Sequence, residues 1–122
     1  MNKIFENNNL TLYNNSIDEV IHNINFDMII TDPPYNINYK YPDYNDNMSE
    51  EEYINLLNNM ERLPAVIIHY PEAICNFVCE ALGRVNKIVS WCYNNNGSSK
   101  AHRSIAFFNC MPDFKKVKQP YK

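Results

Sequence analysis

Glycine is nearly missing from this chain: only two occur in 122 residues, Gly83 and Gly97. They stand too far apart to form a glycine-rich loop of the kind that lets backbone approach a phosphate or a cofactor. No apolar run is long enough to cross a bilayer, and Met1 to Asn9 is too polar for the core of a signal peptide. Both absences point to a cytoplasmic protein with no membrane association and with reduced thiols. Cysteine is limited to Cys75, Cys79, Cys92 and Cys110. The first two stand four apart on an expected helix, but no second Cys or His pair follows at zinc-binding spacing. No metal site is expected, and all four read as core thiols. A basic surplus is also lacking, since the net charge is −3 and the isoelectric point about 5.5. That balance argues against a strong nonspecific nucleic-acid binder. It leaves room for a catalytic region whose grip on nucleic acid lies elsewhere, with Lys115, Lys116, Lys118 and Lys122 as a local basic stretch.

What is present is ordinary for a globular protein: 45% hydrophobic and 20% charged residues, enough for a small core and against general disorder. No internal repeat is visible. Strand and helix patterns alternate along the chain. Leu10 to Tyr13 reads as a short strand, and Ile17 to Ile24 as a brief helix. Phe26 to Thr31 is a compact apolar run ending at two prolines, which suits a buried parallel strand. Asn36 to Met48 is polar and tyrosine-rich and reads as a loop. Ser49 and Glu52 form a capping box; the helix behind it puts Tyr53, Leu56, Leu57 and Met60 on one face, and Pro64 stops it. Ala65 to His69 is a second strand. Pro71 opens a helix striped with Ile74, Phe77, Val78, Ala81 and Leu82, which Gly83 ends. Lys87 to Tyr93 and Ser104 to Cys110 are two further strands, with Trp91 read as core. The loop between them is too short for a parallel crossover, so they should pair antiparallel. The expected class is α/β, a mostly parallel sheet with an antiparallel C-terminal edge.

Ligands of such sheets bind beyond the carboxyl ends of the strands, and Asp32-Pro33-Pro34-Tyr35 stands at such an end. The plain alternative is a rigid turn leaving a strand. The chemical reading explains more of the residues. An exocyclic amine on a nucleobase is a poor nucleophile because its lone pair is delocalised into the ring. A carboxylate at Asp32 and the carbonyl of Pro33 can accept the two amine hydrogens and free that lone pair. The prolines fix the backbone, and Tyr35 offers an aromatic face to a base drawn out of a duplex.

The stretch from Phe26 to Ile37 resembles the N6-adenine and N4-cytosine DNA methyltransferases. Weaker likenesses extend along Ile67 to Pro71, Val89 to Tyr93 and Ser104 to Phe108, and Pro112-Asp113-Phe114 with Val117 to Tyr121 is similar to the start of a target-recognition region. The resemblance implies a partial Rossmann-like methyltransferase sheet, with residues 1–111 as the catalytic part and 112–122 as the beginning of a truncated recognition region. It implies a site-specific enzyme of the restriction–modification kind that transfers a methyl group from S-adenosylmethionine to adenine N6, with cytosine N4 as the alternative. Asp32, Pro33, Pro34 and Tyr35 are then catalytic, and Asp32 and Pro33 also adjoin the cofactor. The partner would be double-stranded DNA with a flipped base. Tyr35, Tyr39, Lys100, His102 and Arg103 are the candidate nucleic-acid contacts; Tyr41 and Tyr44 share the loop with Tyr39 and are candidates to gate the base. Protein-directed relatives favour Asn at the first motif position, which Asp32 argues against.

The chain also departs from that family. The Phe-x-Gly-x-Gly-like cofactor loop is absent, and Tyr13-Asn14-Asn15-Ser16 stands where many members have a Gly-Asp pair. It is similar to the catalytic first half of a permuted group, so the expectation is inactivity alone, with a second chain or downstream half supplying the cofactor loop. A non-catalytic remnant or subunit is the alternative. The Phe26–Thr31 strand would then be an unpaired edge. No Pro-Cys pair is present to serve as a C5-cytosine nucleophile. His69 ends its strand on the same sheet edge as Asp32, either as a pocket residue or as a hydrogen-bonded strand end.

Overall fold

The computed structural model describes residues 1–42, 44–93 and 102–116. Its centre is a four-stranded sheet of β3 (Ile29–Thr31), β4 (Ala65–His69), β5 (Val85–Cys92) and β6 (His102–Phe108), in the order β3-β4-β6-β5. β3 pairs parallel with β4, while β6 pairs antiparallel with both β4 and β5. Two of the three pairings are therefore antiparallel, which corrects the expectation of a mostly parallel sheet. The expected antiparallel pairing of the last two strands holds, but β6 is not at the edge. It lies inside because Ser104, Ala106 and Phe108 are buried in alternation, whereas most of β5 is exposed. A near-continuous apolar run such as Ile105 to Phe108 suits a strand with a neighbour on each side.

A two-stranded hairpin, β1 (Lys3–Glu6) and β2 (Thr11–Tyr13), stands apart from this sheet. β1 falls in the segment read as polar terminus. All four of its residues are exposed, so it carries no burial pattern for the sequence to betray. α1 (Ile17–Val20) is a single turn, shorter than expected. The Asn23 side chain donates to the Glu19 carbonyl there, 2.8 Å away, competing with helix continuation.

α2 (Glu50–Asn58) begins at the expected capping box, with the Ser49 hydroxyl accepting from the Glu52 amide and the Glu52 carboxylate accepting from the Ser49 amide. α3 (Pro71–Ala73), a π-helical turn (Ile74–Val78) and α4 (Cys79–Leu82) follow one another directly, with Pro71 at the start and Gly83, at φ 81°, just past the end. These helices cover one face of the sheet. Tyr53, Leu57, Ile74, Val78 and Leu82 close over Ala65, Ile67, Ala106 and Phe108 to form the core. No cysteine is fully buried: Cys75 and Cys92 are exposed, Cys79 and Cys110 half-buried, and all four are free thiols. Trp91, expected in the core, is 54% exposed on edge strand β5. Among the described residues no helix is long and apolar enough to cross a membrane, and no His, Cys, Asp and Glu cluster could hold a metal.

β3 is shorter than the apolar run that encodes it, because only Ile29, Ile30 and Thr31 find partners on β4. Its other side has no strand partner among the described residues, and Ile30 is 71% exposed there. An apolar strand left at a sheet edge agrees with the expectation for this segment.

Candidate functional site

Asp32 follows directly on β3, at its carboxyl end, and is exposed, while Pro33 behind it is buried. A cleft of about 610 Å³ opens over the tetrapeptide Asp32-Pro33-Pro34-Tyr35, with Tyr41, Pro42 and Tyr44 on one side and Arg103 on another. Its volume and its walls of tyrosine and proline suit a planar organic group.

Tyr35 is held on several sides. Its ring stacks on the imidazole of His69 at 4.6 Å between centroids and meets Tyr70 edge-on at 4.9 Å. Its hydroxyl lies near the Asp32 carboxylate and accepts from Arg103 Nε at 3.0 Å. Burial first, and then the Asp32 carboxylate, push this phenol up to about 12. It therefore stays protonated throughout the neutral range.

Arg103 sits on β6, paired across the strand with Trp91. Its guanidinium carbon lies 3.9 Å from the Tyr70 ring centroid and 5.0 Å from that of Tyr35, and the group also donates to the Tyr93 hydroxyl. Arg103 thus belongs to the wall of the cleft. Such cation–π contacts orient the guanidinium against the tyrosine rings.

The other candidate contacts are dispersed. Tyr39 is 60% exposed, packs on Tyr41 at 4.8 Å, and does not line the cleft. His102 pairs with Cys92 at the start of β6, also outside the cleft lining. Lys100 lies outside the described residues, as does Gly97. Of the loop tyrosines, Tyr41 and Tyr44 reach the tetrapeptide.

Three residues that shape the site carried no such role in the sequence. Asp46 is 1% exposed, and its carboxylate accepts from the backbone amides of Asn36, Ile37 and Tyr39 at 2.9–3.1 Å. This ties down the loop after the tetrapeptide, where Asn36 and Asn38 take positive φ values of 52° and 59°. Asparagine tolerates that conformation better than most residues. In a segment crowded with Asp and Asn, nothing in the sequence marks this one carboxylate as buried. Tyr53 reads as a core residue at helical spacing and is one, at 0% exposure, but its hydroxyl also donates to the Pro34 carbonyl at 2.7 Å. Tyr70 supports both Tyr35 and Arg103. His69 resolves in favour of the hydrogen-bonded strand end: it is fully buried beneath Tyr35, outside the lining of the cleft.

Among the described residues no glycine cradle for S-adenosylmethionine stands at the cleft. Gly83, the one glycine among them, ends a helix with open space around its missing side chain, so it forms no cradle. Beyond Asp32 and Pro33 no candidate cofactor contact is gathered at the cleft. Comparisons with protein-family models, with curated proteins and with solved structures found no match.

Proposed function

We propose that this chain is the amine-binding, catalytic part of a DNA methyltransferase acting on adenine N6, with the S-adenosylmethionine site supplied by another segment or chain. The observation that carries the reading is the exposed Asp32 carboxylate at the end of β3, beside a rigid Pro-Pro step, in a cleft walled by Tyr35, Tyr41, Tyr44 and Arg103. The residues present would act on the acceptor alone. A base drawn from a duplex enters between the tyrosines. Its exocyclic amine donates to the Asp32 carboxylate, with the Pro33 carbonyl as second acceptor. The nitrogen then becomes tetrahedral and its lone pair is released towards the methyl donor. Fixed acceptors at a reacting centre lower barriers by about 3–4 kcal/mol, by analogy with oxyanion-hole donors. Cytosine N4 presents the same amine and is the alternative substrate.

The open edge of β3 favours a second reading beside the first, a subunit that works only with a partner. The test uses the chain itself and three labelled single-stranded oligothymidines: one with a single central adenine, one with a single cytosine, and one with thymine throughout. Fluorescence anisotropy should show preference for the amine-bearing strands, because thymine has no exocyclic amine. Equal binding of all three, unchanged by Asp32→Ala, sinks the reading.

A further inference from the structure

Neither Pro33 nor Pro34 has a backbone N–H, so the turn carrying Asp32 and Tyr35 has few means of bracing itself. The brace comes from elsewhere in the fold. The Tyr70 amide donates to His69 Nδ1 at 2.7 Å, so Nδ1 acts as an acceptor. A neutral imidazole then carries its proton on Nε2. Nε2 lies 2.8 Å from the Tyr53 oxygen and donates to it, which directs the Tyr53 hydroxyl proton to the Pro34 carbonyl at 2.7 Å. Each group in this sequence has one role open to it, and the chain of bonds closes in one direction. His69 and Tyr53 are both 0% exposed, so water does not compete for these bonds. The relay joins the end of β4, the middle of α2 and the turn after β3, and the His69 ring also underlies Tyr35.

We infer that His69 and Tyr53 are positioning residues of the site: they hold the Pro34 carbonyl and the Tyr35 ring so that Asp32 and the Pro33 carbonyl face the amine together. The use assigned to this relay rests on the amine-binding reading above; its bonding pattern does not. The test follows two signals in the full chain, the ring resonances of Tyr35 by NMR and affinity for the single-adenine oligothymidine. Tyr53→Phe keeps the buried ring but removes the hydroxyl. It should shift the Tyr35 ring resonances and weaken the oligonucleotide about tenfold, the scale of one lost buried hydrogen bond. His69→Gln offers an amide N–H to Tyr53 and should restore most of the affinity, whereas His69→Ala should not. Tyr35 signals and affinity that match the wild type in Tyr53→Phe overturn the inference. If the wild type binds the adenine and all-thymine strands alike, the amine reading fails, and the Tyr35 resonances alone decide whether the relay positions the turn. Should the variants not fold, nitrogen-15 spectra of the wild-type chain decide. A His69 protonated on Nε2 with a slowly exchanging Tyr53 hydroxyl upholds the relay, and a His69 protonated on Nδ1 overturns it.

Discussion

The ring of Tyr35 stacks on the imidazole of His69, with centroids 4.6 Å apart and planes inclined by 27°. One face of the motif tyrosine is therefore already in use, and its hydroxyl lies near the carboxylate that an amine would need. Tyr35→Phe should keep the stack and clear the hydroxyl from beside Asp32, so binding of the single-adenine oligothymidine should equal or exceed that of the wild type. Tyr35→Ala should lose about 1–3 kcal/mol, the range for base–aromatic stacking. Equal losses in both variants would show that the hydroxyl binds the base directly.

Asp32→Ala bears on the chemistry itself. In a fusion of this chain with a half that supplies a cofactor loop, it should lower single-turnover methylation of a duplex with one target adenine by about 10²–10³, the cost of removing one preorganised transition-state partner. Affinity for the whole duplex should change little, because contacts other than the one with the amine carry most of it. Methylation at the unmutated rate would reduce the tetrapeptide to a structural turn.

Isothermal titration of the chain with S-adenosylmethionine should show no micromolar binding. The described residues offer no glycine cradle beside Asp32. Micromolar heat of binding would mean that the cofactor is held by contacts other than a glycine loop.

Alkaline titration tests the environment of Tyr35, whose phenol is raised from 10 to about 12 by burial and by the Asp32 carboxylate. A folded-state value above the unfolded one gives stability that is whole below about pH 10 and lost as pH rises through about 12. Tyrosinate absorbance should therefore show a late fraction, from Tyr35 together with Tyr53, which burial also raises. Tyr35→Phe should remove part of that fraction and flatten the alkaline loss of stability. Superimposable late fractions for the two proteins would contradict a raised Tyr35 phenol.

The edge of β3 predicts self-association. Ile30→Lys puts a charge on a position that is 71% exposed, and a lysine on an edge strand discourages pairing with another chain. Sedimentation should show less oligomer than in the wild type, with the melting temperature nearly unchanged. Core truncation should behave oppositely: Phe108→Ala, at 0% exposure in the interior strand, should cost about 3–5 kcal/mol without favouring the monomer. Unaltered oligomers in Ile30→Lys would place the contact elsewhere.

Local signals in the sequence determined a good part of this protein. The Ser49–Glu52 capping box, Pro71 and Gly83 set helix limits because backbone donors and acceptors at helix ends must be satisfied nearby in sequence. The strand Ala65–His69 and the antiparallel pairing of the last two strands follow from an apolar run and a short loop. The position of Asp32 at the end of β3 follows in the same way, from two prolines after an apolar run. Tertiary structure decided the rest. Strand order puts β6 between β4 and β5, because pairing partners are chosen by burial across the whole sheet. Arg103 reaches Tyr35 across 68 positions of sequence, and Tyr53 reaches Pro34 across 19. Asp46 became buried through amides supplied by its own loop once that loop had folded. Such contacts leave no periodic trace, since a side chain's partner is fixed by where two distant segments pack and not by its neighbours along the chain.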